Sequence, residues 1–295
     1  MNLRAWVLAT RPKTLTAALS PIIVASALAF SFGADYRWWI SLCALAASLL
    51  IQFGTNLVND ALDFKKGTDS VDRLGPQRMS QSGRLNADLV LKVAYVFFVG
   101  AFLLGLPLVR EGGVPILLIG LFSIAFAYFY TGGPYPLAYN GLGEIFVLIF
   151  FGWVAVGGLY FLQSQSWFAG AGVAGTQIGL LATVLIQINN LRDIDGDRLN
   201  AKKTLAVKFG KKFARILLLL SVALPYLVGF YWLSQGRSLA AFLPILTAPL
   251  AVRLARDLWR TEPGVIYNSF LARAALTQLV FSALLAAGLV IERAQ

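Results

Sequence analysis

The chain has 295 residues, of which 58% are hydrophobic and 13% charged, with a formal net charge of +11 and a mean hydropathy of +0.71. Water-soluble domains carry about 25% charged residues, so the composition excludes one and makes the lipid bilayer the solvent. Histidine is absent and the single cysteine, Cys43, lies inside an apolar stretch, which removes His-based catalysis, imidazole-ligated zinc or haem, and any disulfide framework.

In lipid every backbone amide must be satisfied internally, so a span is a helix or part of a closed barrel. The apolar runs are long and unbroken rather than alternating, which selects helices of about 20 residues. In chain order, spans are predicted near 14–31, 38–58, 88–108, 114–130, 144–162, 171–191, 213–233, 239–252 and 266–290, about nine transmembrane helices in an all-α integral membrane protein. The first span follows Arg11-Pro12-Lys13 without a small-residue cleavage site behind it, so it reads as a retained helix and not a signal peptide. The eighth is the weakest, because Pro244 and Pro249 interrupt it. The chain, 1–295, reads as one polytopic domain with polar loops near 60–87 and 192–212.

The basic excess sorts by side. Arg4, Arg11, Lys13, Lys65, Lys66, Arg73, Arg78, Arg84, the run from Arg192 to Arg215, and Arg253, Arg256 and Arg260 fall on one side; Arg37, Arg110, Arg237 and Arg293 fall on the other. The positive-inside rule places the N-terminus and the charged loops in the cytoplasm, and an odd number of spans puts the C-terminus outside. A charge excess distributed this way reflects membrane orientation, and no nucleic-acid partner is expected.

The acidic residues cluster. Asp60, Asp63, Asp69 and Asp72 follow the second span, and Asp193, Asp195 and Asp197 follow the sixth. Asn59 and Asp63 are four apart, as are Asp193 and Asp197, a spacing that stacks side chains on one face if each helix continues past the bilayer edge. Like charges so placed repel unless a cation sits between them. Without histidine or an accessible thiol the ligands are hard oxygens, which points to Mg²⁺. Magnesium is held by one or two carboxylates with phosphate oxygens and water, so a diphosphate is the natural third party.

A charge run beside a span is ordinarily a solvated loop. Here two clusters lie on one side, and each is preceded by asparagines at an apolar helix end: Asn56 and Asn59 in NLVND, Asn189 and Asn190 in INNLRD. Amides at that depth are costly without partners, which favours a site built between the two halves. A secondary transporter, the alternative from another class, places its polar groups near mid-membrane on broken helices, and a channel rings its pore with acids; clusters at one edge fit neither well.

The stretches GTNLVNDALDFKKGTD (Gly54 to Asp69) and INNLRDIDGDRLNAKKTLAVKFG (Ile188 to Gly210) resemble the paired aspartate motifs of the UbiA superfamily of intramembrane aromatic prenyltransferases. ATRPKTL (Ala9 to Leu15), DRLGPQRMSQSG (Asp72 to Gly83) and YTGGPYPLAYNGLGE (Tyr130 to Glu144) resemble most its menaquinone branch, which acts on 1,4-dihydroxy-2-naphthoate. The resemblance spans both halves of the chain. It implies a ring of helices around a central cavity open sideways to lipid, in a multi-pass enzyme of a bacterial inner membrane.

It also implies catalytic metal ligands at Asn59, Asp63, Asp193 and Asp197, with Asp60 and Asp69 supporting them and Mg²⁺ as cofactor. Many relatives carry a third acid four residues after the second; that place is Gly67 here, and Asp69 follows two later, a weaker ligand. Asp195 is expected to stay solvated or beside the ligands. Arg11, Asn56, Arg78, Tyr130, Asn189, Asn190, Lys202 and Lys203 are the candidates for substrate binding, and Phe126, Phe129, Tyr130 and Trp153 for lining the cavity. The expected partners are a polyprenyl diphosphate, the naphthoate acceptor and the bilayer; other family members use 4-hydroxybenzoate, homogentisate or a chlorophyllide instead.

Overall fold

A computed structural model describes residues 3–68 and 74–294, and among these it contains helices and connecting turns but no strand. In chain order the helices are α1 (Leu3–Ala9), α2 (Thr16–Ser31), α3 (Trp38–Lys65), α4 (Ala87–Phe129), α5 (Gly143–Ser164), α6 (Ala169–Arg192), α7 (Ile194–Leu199), α8 (Leu205–Ser234), α9 (Ser238–Arg260) and α10 (Tyr267–Ile291). Among the described residues, seven are long and apolar enough to cross a membrane: α3 to α6 and α8 to α10. Helix α2 is apolar but has only 16 residues.

Seven and nine are reconciled at α4. Its 43 residues would reach about 65 Å as one rod, twice the roughly 30 Å of a hydrocarbon core. The rod breaks at Gly113, whose φ of 64° and ψ of −151° are non-helical, between Pro107 and Pro115. The two limbs fold back on each other: the rings of Tyr95 and Tyr128, 33 positions apart along the helix, lie 6.2 Å from centre to centre. Each limb therefore corresponds to one expected span, and with the shorter α2 the apolar segments match the expected count. In α9 the predicted weakness is a 3₁₀ stretch, Leu243–Thr247, where Pro244 removes a helical donor.

Apolar side chains gain nothing by leaving lipid for one another, so close backbone approach and interhelical hydrogen bonds hold such a bundle. Helices α5 and α6 touch through glycine: a Cβ on Gly179 would stand 2.7 Å from the Leu148 carbonyl oxygen. At that contact α5 widens into a π-helix over Leu148–Gly157. Helix α6 is the most enclosed span, and its far face is tied to α8: Gln177 donates to the Pro225 carbonyl at 2.9 Å and accepts from the Trp232 indole at 3.0 Å. Leu28, Ile178, Leu181 and Phe281 form the buried centre where α2, α6 and α10 meet.

The charged groups collect at the two ends. One end carries the C-termini of α3 and α6; the other is closed by the Arg37–Glu111 pair and by Arg237, which donates to the Ser31 carbonyl at 3.1 Å.

Candidate active site

Helix α3 runs on to Lys65, so Asn59 and Asp63 do share a face. Asp60 points elsewhere: its two oxygens accept the backbone amides of Met79 (2.9 Å) and Ser80 (2.8 Å), which folds the loop after α3 back over the helix end. That contact delivers the buried Arg78, whose guanidinium donates to Asp63 at 3.2 Å and also to Asn59.

Tyr139, in the 3₁₀ turn Leu137–Tyr139 between α4 and α5, donates its hydroxyl to the other Asp63 oxygen at 2.6 Å and lies 2.9 Å from the Thr68 hydroxyl. The ammonium groups of Lys66 and Lys202 each lie 4.7 Å from the centre of its ring. Lys66 also donates to the Thr131 carbonyl at 2.6 Å, and its burial pulls its pKa below the ordinary lysine value.

The second motif is bent rather than stacked. Helix α6 ends at Arg192, Asp193 leaves helical geometry (φ −96°, ψ 11°), and α7 starts anew. Both Asp193 oxygens are taken by the Arg192 guanidinium, at 2.8 and 2.6 Å; Arg192 also donates to Asn268 (2.7 Å), which donates to the Leu74 carbonyl (2.9 Å). Asp197 faces the first motif instead. The Lys202 ammonium stands 3.8 Å from an oxygen of Asp197 and 3.8 Å from an oxygen of Asp63, so one cation joins the two motifs.

Among the described residues no three acidic or thiol side chains converge as a ready-made metal cluster. The oxygen donors that face one another across Lys202 are nevertheless those a hard divalent ion takes, with Asn59 adjoining, and an ammonium already sits where a cation is stable. Asn59, Asp63 and Asp197 thus have the donor chemistry and placement for a magnesium ion that takes the position of Lys202, with Arg78 yielding its hold on Asn59 and Asp63. Asp60 and Asp193 would first have to give up the contacts just described. Asp69 and Asp72 lie outside the described residues, and Asp195 pairs with Arg198 at the surface, 3.6 Å away.

Beneath this charged end lies a cavity of about 370 Å³ enclosed by α2 to α6, headed by Arg11, Asn56, Asn59, Tyr130 and Asn189. Asn56 donates to the Thr10 carbonyl at 2.9 Å, fixing the turn before α2, and Arg11 adopts a left-handed backbone (φ 53°) with its guanidinium 3.4 Å from Asn59. Tyr130, the residue after the last turn of α4, stands at this head. Below the head the wall is aromatic: Phe126 lies 4.8 Å from Phe146 and 5.5 Å from Phe150, centre to centre. Phe102 and Leu121, one on each limb of α4, line the cavity and remain 39% and 46% exposed, so its wall is not sealed along α4.

Several expected residues lie off the cavity. Phe129 and Trp153 face outward, the Trp153 indole donating to Thr176 at 2.9 Å. Asn190 turns to the buried Glu144, donating at 2.8 Å, and Lys203 is exposed, contributing its backbone amide to the Tyr139 carbonyl at 2.7 Å. Sequence reasoning did not single out Tyr139, Lys66, Arg192 or Glu144. Glu144 alone carried a signal, as the only acidic residue between Glu111 and Asp193.

Residues 18–276 match the model of the UbiA prenyltransferase family. The chain is 38% identical to a 1,4-dihydroxy-2-naphthoate octaprenyltransferase of Escherichia coli, covering 94% of each sequence. It is 34% identical to the enzyme of the same name from Mycobacterium tuberculosis, covering 96% of each. Its fold is similar to that of a UbiA homolog from Aeropyrum pernix K1, with TM-score 0.71, 17% identity, and 96% and 98% of the two chains covered. A UbiA homolog from Archaeoglobus fulgidus bound to DMAPP and Mg²⁺ aligns with TM-score 0.63 and 15% identity, over 95% and 98%. With its two aspartate motifs meeting over an apolar cavity, the chain belongs to the UbiA prenyltransferase family.

Proposed function

We propose that this protein transfers a polyprenyl group from its diphosphate to 1,4-dihydroxy-2-naphthoate, releasing diphosphate and carbon dioxide. The observation that carries the reading is the junction of a charged head, made by Asn59, Asp63, Asp197, Arg78 and Lys202, with an aromatic cavity whose wall is not sealed along α4. A polyprenyl diphosphate has the same two-part chemistry: an anionic head, and a tail that only lipid or apolar side chains can solvate. The names of the relatives support the acceptor.

The allylic C–O bond breaks heterolytically, and the electron pair leaves with the diphosphate. Magnesium, when bound, supplies positive charge against that leaving group. Arg78 and Arg11 hold Asn59, and Tyr139 and Arg78 hold Asp63, so the ligand oxygens are oriented before substrate arrives. Phe126, Phe146 and Phe150 exclude water and present π-faces to the allylic cation. The ring carbon bearing the carboxylate attacks that cation, and loss of carbon dioxide returns the bonding pair to the ring, so no strong base is needed. We further assign the motif end to the cytoplasm of a bacterial inner membrane, because the basic residues gather there.

The test is purified protein in nanodiscs, supplied with carboxyl-labelled dihydroxynaphthoate, Mg²⁺ and allylic diphosphates of several lengths. Labelled carbon dioxide should be released in step with prenyl transfer, and Asp63→Ala should abolish both. A product that keeps its carboxylate, or a preference for 4-hydroxybenzoate, would refute the acceptor.

A further inference from the structure

We propose that Lys202 is a tethered counter-cation: it fills the cation position between Asp63 and Asp197 until a diphosphate arrives, so that divalent metal and diphosphate bind in combination. The inference rests on the metal reading above and concerns what that reading leaves open, the state of the site before substrate.

The geometry is that of a placeholder. A hydrogen-bonded ammonium sits about 2.7–3.2 Å from its acceptor, whereas Lys202 stands 3.8 Å from each of two carboxylates, shared by their field and bonded closely to neither. Its stem is aimed by the backbone. Ala201 takes a left-handed conformation (φ 55°), the Lys202 amide donates to the Asp197 carbonyl at 2.9 Å, and the Lys203 amide donates to the Tyr139 carbonyl at 2.7 Å. The ring of Tyr139, 4.7 Å from the ammonium, flanks it in this same position beside Asp63. Arg78 and Arg192 pair with their aspartates at 3.2 and 2.6 Å, so among these cations Lys202 is the loosely held one. A lysine suits the task because its charge is compact and its stem flexible.

A divalent ion entering alone must displace this ammonium and leave it facing the metal, two positive charges competing for the same carboxylates. A diphosphate removes the conflict by giving the displaced ammonium an anion of its own. Metal and diphosphate therefore raise each other's affinity by the same factor.

Mn²⁺ provides the spectroscopic probe and inorganic pyrophosphate the diphosphate, with the full chain in nanodiscs and bound Mn²⁺ read by electron paramagnetic resonance against Mn²⁺–pyrophosphate in buffer. Native protein should take up Mn²⁺ weakly alone and at least about tenfold more tightly with pyrophosphate. Lys202→Met should take up Mn²⁺ alone about tenfold more tightly than native protein, since a unit charge next to both ligands has gone, and should lose most of the coupling. Lys202→Arg should keep it. Lys202→Gln gives the same readout should the methionine variant fail to fold. A neutral variant that binds Mn²⁺ alone no more tightly than native protein overturns the placeholder while leaving the metal assignment standing. Native protein that takes up no Mn²⁺ even with pyrophosphate overturns the metal assignment and this inference together.

Discussion

Replacing Tyr139 by Phe removes one oxygen and leaves the ring, which separates two contacts made by the same side chain. The lost contact is a 2.6 Å hydrogen bond to the Asp63 carboxylate, which is 2% exposed and also paired with Arg78. Hydrogen bonds to charged groups contribute about 1.5–3 kcal/mol, and about 1.4 kcal/mol is a factor of ten in rate, so full expression in the transition state gives about a 10- to 150-fold loss of kcat/KM. Tyr139→Leu also removes the aromatic face beside Lys66 and Lys202, each contact being worth about 0.5–2 kcal/mol, and should lose roughly a further tenfold. The assay is the initial rate of prenyl transfer in nanodiscs, with thermal unfolding to show that each variant is folded. Asp63→Asn combined with Tyr139→Phe should cost little more than Asp63→Asn alone, because the hydroxyl acts through that carboxylate. A folded Tyr139→Phe enzyme within about threefold of native kcat/KM, or additive losses in the double variant, would refute the positioning role.

Two further outcomes follow from packing. Asp60→Asn places an amide donor against the Met79 or Ser80 amide and should lower folding stability by about 2–4 kcal/mol, read as a drop in the unfolding midpoint in detergent; an unchanged midpoint would show that Asp60 is not what anchors the loop. Gly179→Leu drives a side chain into the α5 backbone and should cost about 1–3 kcal/mol, whereas Gly172→Leu in the same helix meets open space and should be tolerated; equal midpoints for the two variants would count against the glycine contact.

The spans were legible because uniform apolarity is itself the physical requirement for crossing lipid. The hairpin in α4 was legible too, since the charged Arg110 and Glu111 interrupt the apolar run beside Gly113, where the rod must turn. Motif residues were found by their spacing, but spacing does not say where a side chain points. Asp60 and Asp63 are three apart in one helix; a loop supplies amides to the first and a tyrosine 76 positions away supplies a hydroxyl to the second. Neither partner leaves a trace near the motif. The stacking expected of Asp193 and Asp197 assumed that α6 continues, whereas it ends at Arg192, whose guanidinium turns onto the adjacent aspartate. Asn190 looked like Asn189 in sequence, and one helical step separates the residue that lines the cavity from the one that holds Glu144.

The unsealed wall beside Phe102 and Leu121 decides what concentration means for this enzyme. A prenyl donor that enters there is counted per lipid molecule and not per litre, so adding inert lipid at fixed volume dilutes it although nothing has changed in the water. The acceptor and the diphosphate product answer to the aqueous volume at the other end. Turnover is thus set by two concentrations in two phases, and a change in membrane area shifts one without touching the other.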